Sequence, residues 1–141
     1  MDHTELLGKT FKCECGRTHE VPTRSFVYCE DAIERLPEVL RGLVEGRRIV
    51  IVADRRTWAI AGEPSKQVLE ANGWSTAGVV VSDTSHGSPV CDDTTVQWLG
   101  DQMPESDIAL AAGSGVINDL TKWAAFERDI PYAVVATAAT M

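Results

Sequence analysis

Along the 141 residues, short uninterrupted apolar runs alternate with stretches whose hydrophobic positions recur at helical spacing. Arg48-Ile49-Val50-Ile51-Val52-Ala53 is apolar throughout after a basic start, the pattern of a parallel strand covered on both faces. Ala77 through Val81 and Ile108-Ala109-Leu110-Ala111-Ala112 repeat it. Between these runs, Pro64 to Asn72 predicts a helix stopped at Asn72-Gly73, and Asp92 to Gly100 a helix with Val96 and Leu99 inward. Val116 to Asp129 predicts a third, amphipathic helix, with a final strand after it. Nearer the start, Ser25 to Tyr28 reads as a short strand. Ile33, Leu36, Leu40 and Leu43 share one helical face after an acidic opening at Glu30-Asp31. Pro37 either breaks that stretch or begins its second piece. The alternation predicts an α/β fold: a single domain built on a doubly wound, mostly parallel, Rossmann-like sheet of four or five strands with right-handed crossovers.

Composition narrows the class. Hydrophobic residues make up 44% and charged residues 24%, enough apolar material for one domain with a real core. A net charge of -8, with basic residues paired only at Arg47-Arg48 and Arg55-Arg56, argues against a nucleic-acid surface. No apolar run approaches the roughly 20 residues of a membrane helix, and the polar start at Met1-Asp2-His3 is unlike a signal peptide, so a cytoplasmic protein is expected. In that compartment the four cysteines are expected to be reduced thiols. Trp58, Trp74, Trp98 and Trp123 are most simply core or partner-facing aromatics.

The chemistry gathers where a strand meets Gly113-Ser114-Gly115 and a helix follows. Two glycines let the backbone turn sharply and approach a pyrophosphate, whose charge the free N–H groups and positive dipole end of the helix then hold. A Gly-x-Gly turn by itself is equally a turn and nothing more. Asp54, at the carboxyl end of the Arg48–Ala53 run, is placed to accept both ribose hydroxyls of an adenosine, or to cap the helix starting near Thr57 or Trp58. Cys13, Cys15 and His19, with Cys29, can supply the soft ligands of a tetrahedral zinc. Cys-x-Cys is an unusual gap for such a site, and a tight turn carrying reduced thiols is the favoured reading. His86, in a polar loop, reads as a solvated histidine.

Gly113 through Lys122, with Ile130-Pro131-Tyr132 and Ala136-Thr137-Ala138-Ala139-Thr140-Met141, resembles the nucleotide-binding half of glycerol-1-phosphate dehydrogenases. These belong to the iron-containing, or zinc-using, alcohol dehydrogenase and glycerol dehydrogenase superfamily. Val52-Ala53-Asp54-Arg55-Arg56-Thr57-Trp58-Ala59-Ile60-Ala61-Gly62 is similar to the second strand and turn of a glycerol dehydrogenase, and Cys13 to His19 with Val21-Pro22 to the start of the glycerol-1-phosphate enzymes. The resemblance implies a cofactor, NAD or NADP, held at its pyrophosphate by Gly113, Ser114 and Gly115. It implies Asp54 on the ribose, Asn118 and Asp119 on the first turn of the helix with Asp119 near the nicotinamide, and Thr137 and Thr140 lining the cofactor from the last strand. One departure stands out: the family usually has proline where Ala136 stands.

In that family the last segment runs on into an aspartate that contacts substrate, and a following helical domain holds a divalent zinc, iron or nickel ion. The expectation is therefore an NAD(P)-binding domain over residues 1–141 without the carboxyl-terminal metal-binding catalytic domain, carrying no catalytic residue and inactive alone. The parent would be a metal-dependent dehydrogenase of a small polyol or glycerol-phosphate-like substrate, with a homo-oligomer compatible with apolar surface left for a second domain. Two other readings remain open: the NAD-binding domain of a 3-dehydroquinate synthase, which is a lyase, and a non-catalytic nucleotide- or partner-binding domain.

Overall fold

The computed structural model describes residues 3–139, and the chain divides into two units, Met1–Ala32 and Ile33–Met141. In the first, a short 3-10 turn (His3–Leu6) precedes strand β1 (Thr10–Lys12), which pairs antiparallel with β2 (Thr18–Glu20) so that Phe11 faces His19. Cys13 N–H to the Arg17 carbonyl (2.9 Å) and Gly16 N–H to the Cys13 carbonyl (3.0 Å) close the connection. Ser25–Tyr28, expected as a strand, is irregular chain. Phe26 and Tyr28 are exposed and have no neighbouring ladder, so their β preference has nothing to pair with.

The second unit begins with helix α1 (Leu36–Arg41), whose first turn contains Pro37. The expected helix does not open at Glu30-Asp31, where the chain makes turns. Proline suits the first helical turn, where its missing N–H has no partner in any case, and it disfavours a helix running up to it. The order continues β3 (Arg48–Asp54), α2 (Arg55–Thr57), a π turn (Trp58–Gly62), α3 (Glu63–Ala71), β4 (Ser75–Val81), α4 (Asp93–Gln102), β5 (Ile108–Ala112), α5 (Val116–Glu127) and β6 (Tyr132–Val135). Asn72 ends α3 as its cap. The Gly73 and Trp74 amides then donate to the carbonyls of Glu70 and Leu69, the paired bonds of a Schellman motif.

Four parallel strands lie in the order β4-β3-β5-β6, a doubly wound α/β sheet as expected. Alternation along β3 and β5 supplies two cores. Val50, Val52, Ala109 and Ala111 pack with Val96 and Leu99 of α4 and Ile117 and Leu120 of α5. On the other face Ile49, Ile51, Ile108 and Leu110 meet Leu36 and Leu40 of α1, Leu69 of α3 and Trp74. Trp58 lies close against Gly62 and Gly78, where a Cβ would come within 2.6 and 2.4 Å of its ring. Trp98 and Trp123 are partly exposed. Among the described residues, no helix is long and apolar enough to cross a membrane.

The amino ends of the two central strands are fastened by charge. Asp107 accepts from the Arg48 backbone N–H (2.9 Å) and from its Nε (3.1 Å) and Nη2 (2.8 Å). These bonds lower the Asp107 pKa to about 2. A carboxylate with a depressed folded pKa contributes stability above its unfolded value, about 4, and that contribution is lost as pH falls through about 2. Urea unfolding across that interval should show stability declining on acidification, and Asp107→Asn should flatten that part of the profile while lowering stability at neutral pH.

Candidate functional site

From β3 the chain passes to β4 on one side; from β4 it returns across to β5, and then proceeds outward to β6. The winding direction therefore reverses between β3 and β5. At such a switch point the two exit loops leave toward opposite faces, opening a crevice outside the carboxyl ends of the strands. The last registered β3–β5 pair is Val52 with Ala111. Two residues beyond each stand Asp54 and Gly113.

On the β5 side, the two glycines serve different ends. Gly113 is buried, and a Cβ there would come within 2.9 Å of the Ile117 side chain, so its bareness lets α5 pack down on the turn. Gly115 is the N-cap of α5 with φ +53 and ψ -117, a conformation that a side chain would strain by roughly 1–3 kcal/mol. The space where its Cβ would point is open. No side chain caps α5, so the N–H groups of its first turn are left for solvent or a ligand. Ser114 fixes this turn to the segment after β6: its Oγ accepts from the amides of Thr137 and Ala138 (2.9 Å each), while Gly113 N–H donates to the Val135 carbonyl (3.1 Å). Ser114 and Thr137, expected to touch cofactor separately, are thus joined directly. Thr140 lies outside the described residues.

Farther along α5, Asn118 is buried, and its Oδ1 has no hydrogen-bond partner. An unpaired buried acceptor costs about 1–3 kcal/mol, which a donor placed there would recover. Asp119 is exposed and pairs with Lys122 at 3.3 Å.

On the β3 side, Asp54 is buried and its carboxylate is engaged as a cap. Oδ1 accepts from the amides of Arg56 (2.7 Å) and Thr57 (2.9 Å), and Thr57 Oγ1 accepts from Asp54 N–H (3.0 Å). Oδ2 faces Arg56 Nη2 at 3.4 Å. That guanidinium binds Asp83, just beyond β4, through Nη2 (2.8 Å) and Nη1 (3.0 Å), and Arg55 Nε adds a third bond at 3.0 Å. The Arg56 bonds hold the Asp83 carboxyl below the usual range and raise Arg56. Two arginines and two aspartates therefore form a balanced group at the ends of β3 and β4. Sequence reasoning left Asp83 unremarked inside its polar loop. Asking which acid at a neighbouring strand end faces Arg55-Arg56 would have found it.

Other candidates fall elsewhere. His86 is exposed, and its backbone N–H donates to Thr84 Oγ1. Cys13, Cys15 and His19 come together in the first unit, with their ligand atoms within 4.8 Å of one another, and Cys29 is not in that group. None of the four cysteines, all among the described residues, is in a disulfide.

The family model for iron-containing alcohol dehydrogenases matches residues 27–141, more than half of the chain. The chain belongs to the iron-containing alcohol dehydrogenase family. It is 30% identical over 131 residues to the glycerol-1-phosphate dehydrogenase [NAD(P)+] of Halalkalibacterium halodurans, covering 90% of this chain and 32% of that one. A relative of the same name from Geobacillus stearothermophilus is 29% identical over 136 residues, covering 95% and 33%. The chain thus spans about a third of the length of the relatives it matches. Glycerol dehydrogenase from Schizosaccharomyces pombe superposes with a TM-score of 0.66 at 20% identity, over 75% of this chain and 25% of that one, a likeness of fold.

In this family member, Ser114 is the tie between the glycine turn and the last segment. Ser114→Ala should leave the sheet intact and speed hydrogen exchange at the Thr137 and Ala138 amides by about tenfold, the loss of roughly one hydrogen bond each. Unchanged exchange would show that the turn is held by other means.

Proposed function

We propose that residues around the carboxyl ends of β3, β5 and β6 bind NAD or NADP for a metal-dependent dehydrogenase of a polyol or glycerol phosphate. The observation that carries this reading is a coincidence of position. The uncapped start of α5, the open space over Gly115 and the turn tied by Ser114 lie at the sheet's topological switch point. The names of the sequence relatives, glycerol-1-phosphate dehydrogenases [NAD(P)+], support the choice of cofactor and favour a glycerol phosphate over the dehydroquinate synthase substrate.

The residues present fit a dinucleotide. The first-turn amides of α5 with Gly113, Ser114 and Gly115 would take the pyrophosphate, as dipoles already fixed before the ligand arrives. Asp54 would accept from the adenosine ribose. Its backbone caps and the Arg56 contact already hold the carboxylate in place, so little ordering is lost on binding. Asn118 offers an unpaired acceptor, and Asp119 and Thr137 would line the bound cofactor. Bound there, the nicotinamide would exchange hydride with a secondary alcohol or ketone. A metal that polarises the alcohol oxygen has no ligand set here: among the described residues, the group able to hold an ion is Cys13, Cys15 and His19. The chain matches about a third of the relatives' length, and the dinucleotide reading is confined to that third.

Calorimetric titration of the chain with NAD and with NADP tests this. Asp54→Asn is the informative variant because asparagine is an equally good helix cap. It should preserve thermal stability to within about 1 kcal/mol while weakening dinucleotide binding about tenfold, the worth of one charge-assisted hydrogen bond. Equal affinity in wild type and variant would confine Asp54 to capping. No saturable binding of either dinucleotide at millimolar concentration would refute the reading.

A further inference from the structure

Outside the nucleotide site, the first unit carries a chemical group that the proposed function does not use. Its two strands are three residues each and almost wholly exposed: Phe11 is half-buried and β2 is exposed throughout. An isolated two-stranded hairpin is marginally stable in water, and units this small are commonly stapled by disulfides or metal. The connection between the strands holds two of the chain's four thiols, and neither is in a disulfide.

The turn has the shape that chelation requires. Gly16, at φ +83, reverses the chain with its N–H on the Cys13 carbonyl. This brings Cys15 back over Cys13, whose sulfur receives the Cys15 N–H at 3.5 Å. A backbone N–H directed at sulfur favours the thiolate, the form that binds metal. His19 reaches in from β2 with Nε2 at 3.2 Å from Cys15 Sγ, and its ring leans on Phe11, centroids 6.0 Å apart. All three donor atoms lie within 4.8 Å of one another. Around a tetrahedral zinc, with bonds of about 2.0–2.3 Å, donor separations are about 3.5–3.8 Å, so small side-chain rotations would complete the site.

The geometry points to a zinc site in this hairpin: Cys13 Sγ, Cys15 Sγ and His19 Nε2 bind one Zn²⁺ and leave the fourth position to a solvent molecule. Two thiolates and an imidazole are soft and borderline donors that suit zinc and disfavour magnesium or calcium. On binding, each thiol gives up its proton and the imidazole coordinates through a neutral nitrogen, so up to two protons leave for each metal that enters. The metal links the turn to the second strand, a cross-link in a hairpin whose strands are almost wholly exposed. Cys15 and His19 are exposed, so the ion reaches its ligands directly from solvent. The assignment does not depend on the dehydrogenase reading.

The test is titration of the reduced, metal-free 141-residue chain with Co²⁺, followed by displacement with Zn²⁺ in the presence of a chromophoric chelator. The expected result is one cobalt per chain, with near-ultraviolet thiolate-to-cobalt charge transfer and intense visible bands of tetrahedral coordination, both abolished by zinc. Cys13→Ser, Cys15→Ser and His19→Ala should each weaken zinc binding by more than about tenfold, since even changes outside the ligand shell cost that much. Their far-UV circular dichroism should stay unchanged, because the parallel sheet lies in the other unit. Cys29→Ser and Cys91→Ser should retain wild-type binding and spectra. Absence of charge transfer in the reduced wild type would overturn the assignment. So would its survival in Cys15→Ser, or its loss in Cys29→Ser.

Discussion

Burial of β3 and β5 on both faces is the constraint from which the architecture follows. Ile49 through Ala53 and Ile108 through Ala112 have almost no exposure to water. A strand apolar on both sides needs a layer of helices on each, which parallel strands with crossover helices provide. Along each strand successive residues serve opposite cores, Val50 and Val52 with α4 and α5, Ile49 and Ile51 with α1 and α3. With two strands central and helices on both faces, the winding reverses between them. The strand ends at that reversal are a by-product of core packing, and the functional reading is built on them.

What these strand ends offer is fixed in advance. Ser114 holds the glycine turn to the chain after β6, and Gly113 lets α5 approach through Ile117. Asp54 is clamped by two amides and Arg56, which Asp83 holds in turn. These contacts are mostly short hydrogen bonds to backbone or between opposite charges, and under the proposed function they would leave little further ordering for a ligand to impose. The exposed pairs count for little in stability. Their value is in position.

The period of the apolar runs made most of the second unit legible. β3, β5 and the helices α3, α4 and α5 were recoverable to within a few residues because continuous runs, an Asn-Gly stop and an acidic cap each have a local physical cause. The hairpin at Thr10–Glu20 was not, because its strands bury too little to leave a period. Ser25–Tyr28 misled for the converse reason: its residues prefer strands, but pairing depends on a neighbour that propensity does not reveal. The positions of Gly113, Ser114, Gly115 and Asp54 at the ends of β5 and β3 were legible from residue type and place. That Ser114 would bind the last segment, and that Asp83 would anchor Arg56, depend on loops brought together only by the sheet. The approach of His19 to Cys15 depends likewise on the register of the hairpin.

The most direct test of the central claim is a nitrogen–proton correlation spectrum of the labelled chain during titration with NAD. The account predicts saturable shifts concentrated at the amides of residues 54–57, 113–119 and 137–138, at the carboxyl ends of β3, β5 and β6. Shifts clustered on the outer surface of α4 and α5, or no shifts at millimolar NAD and NADP alike, would contradict it.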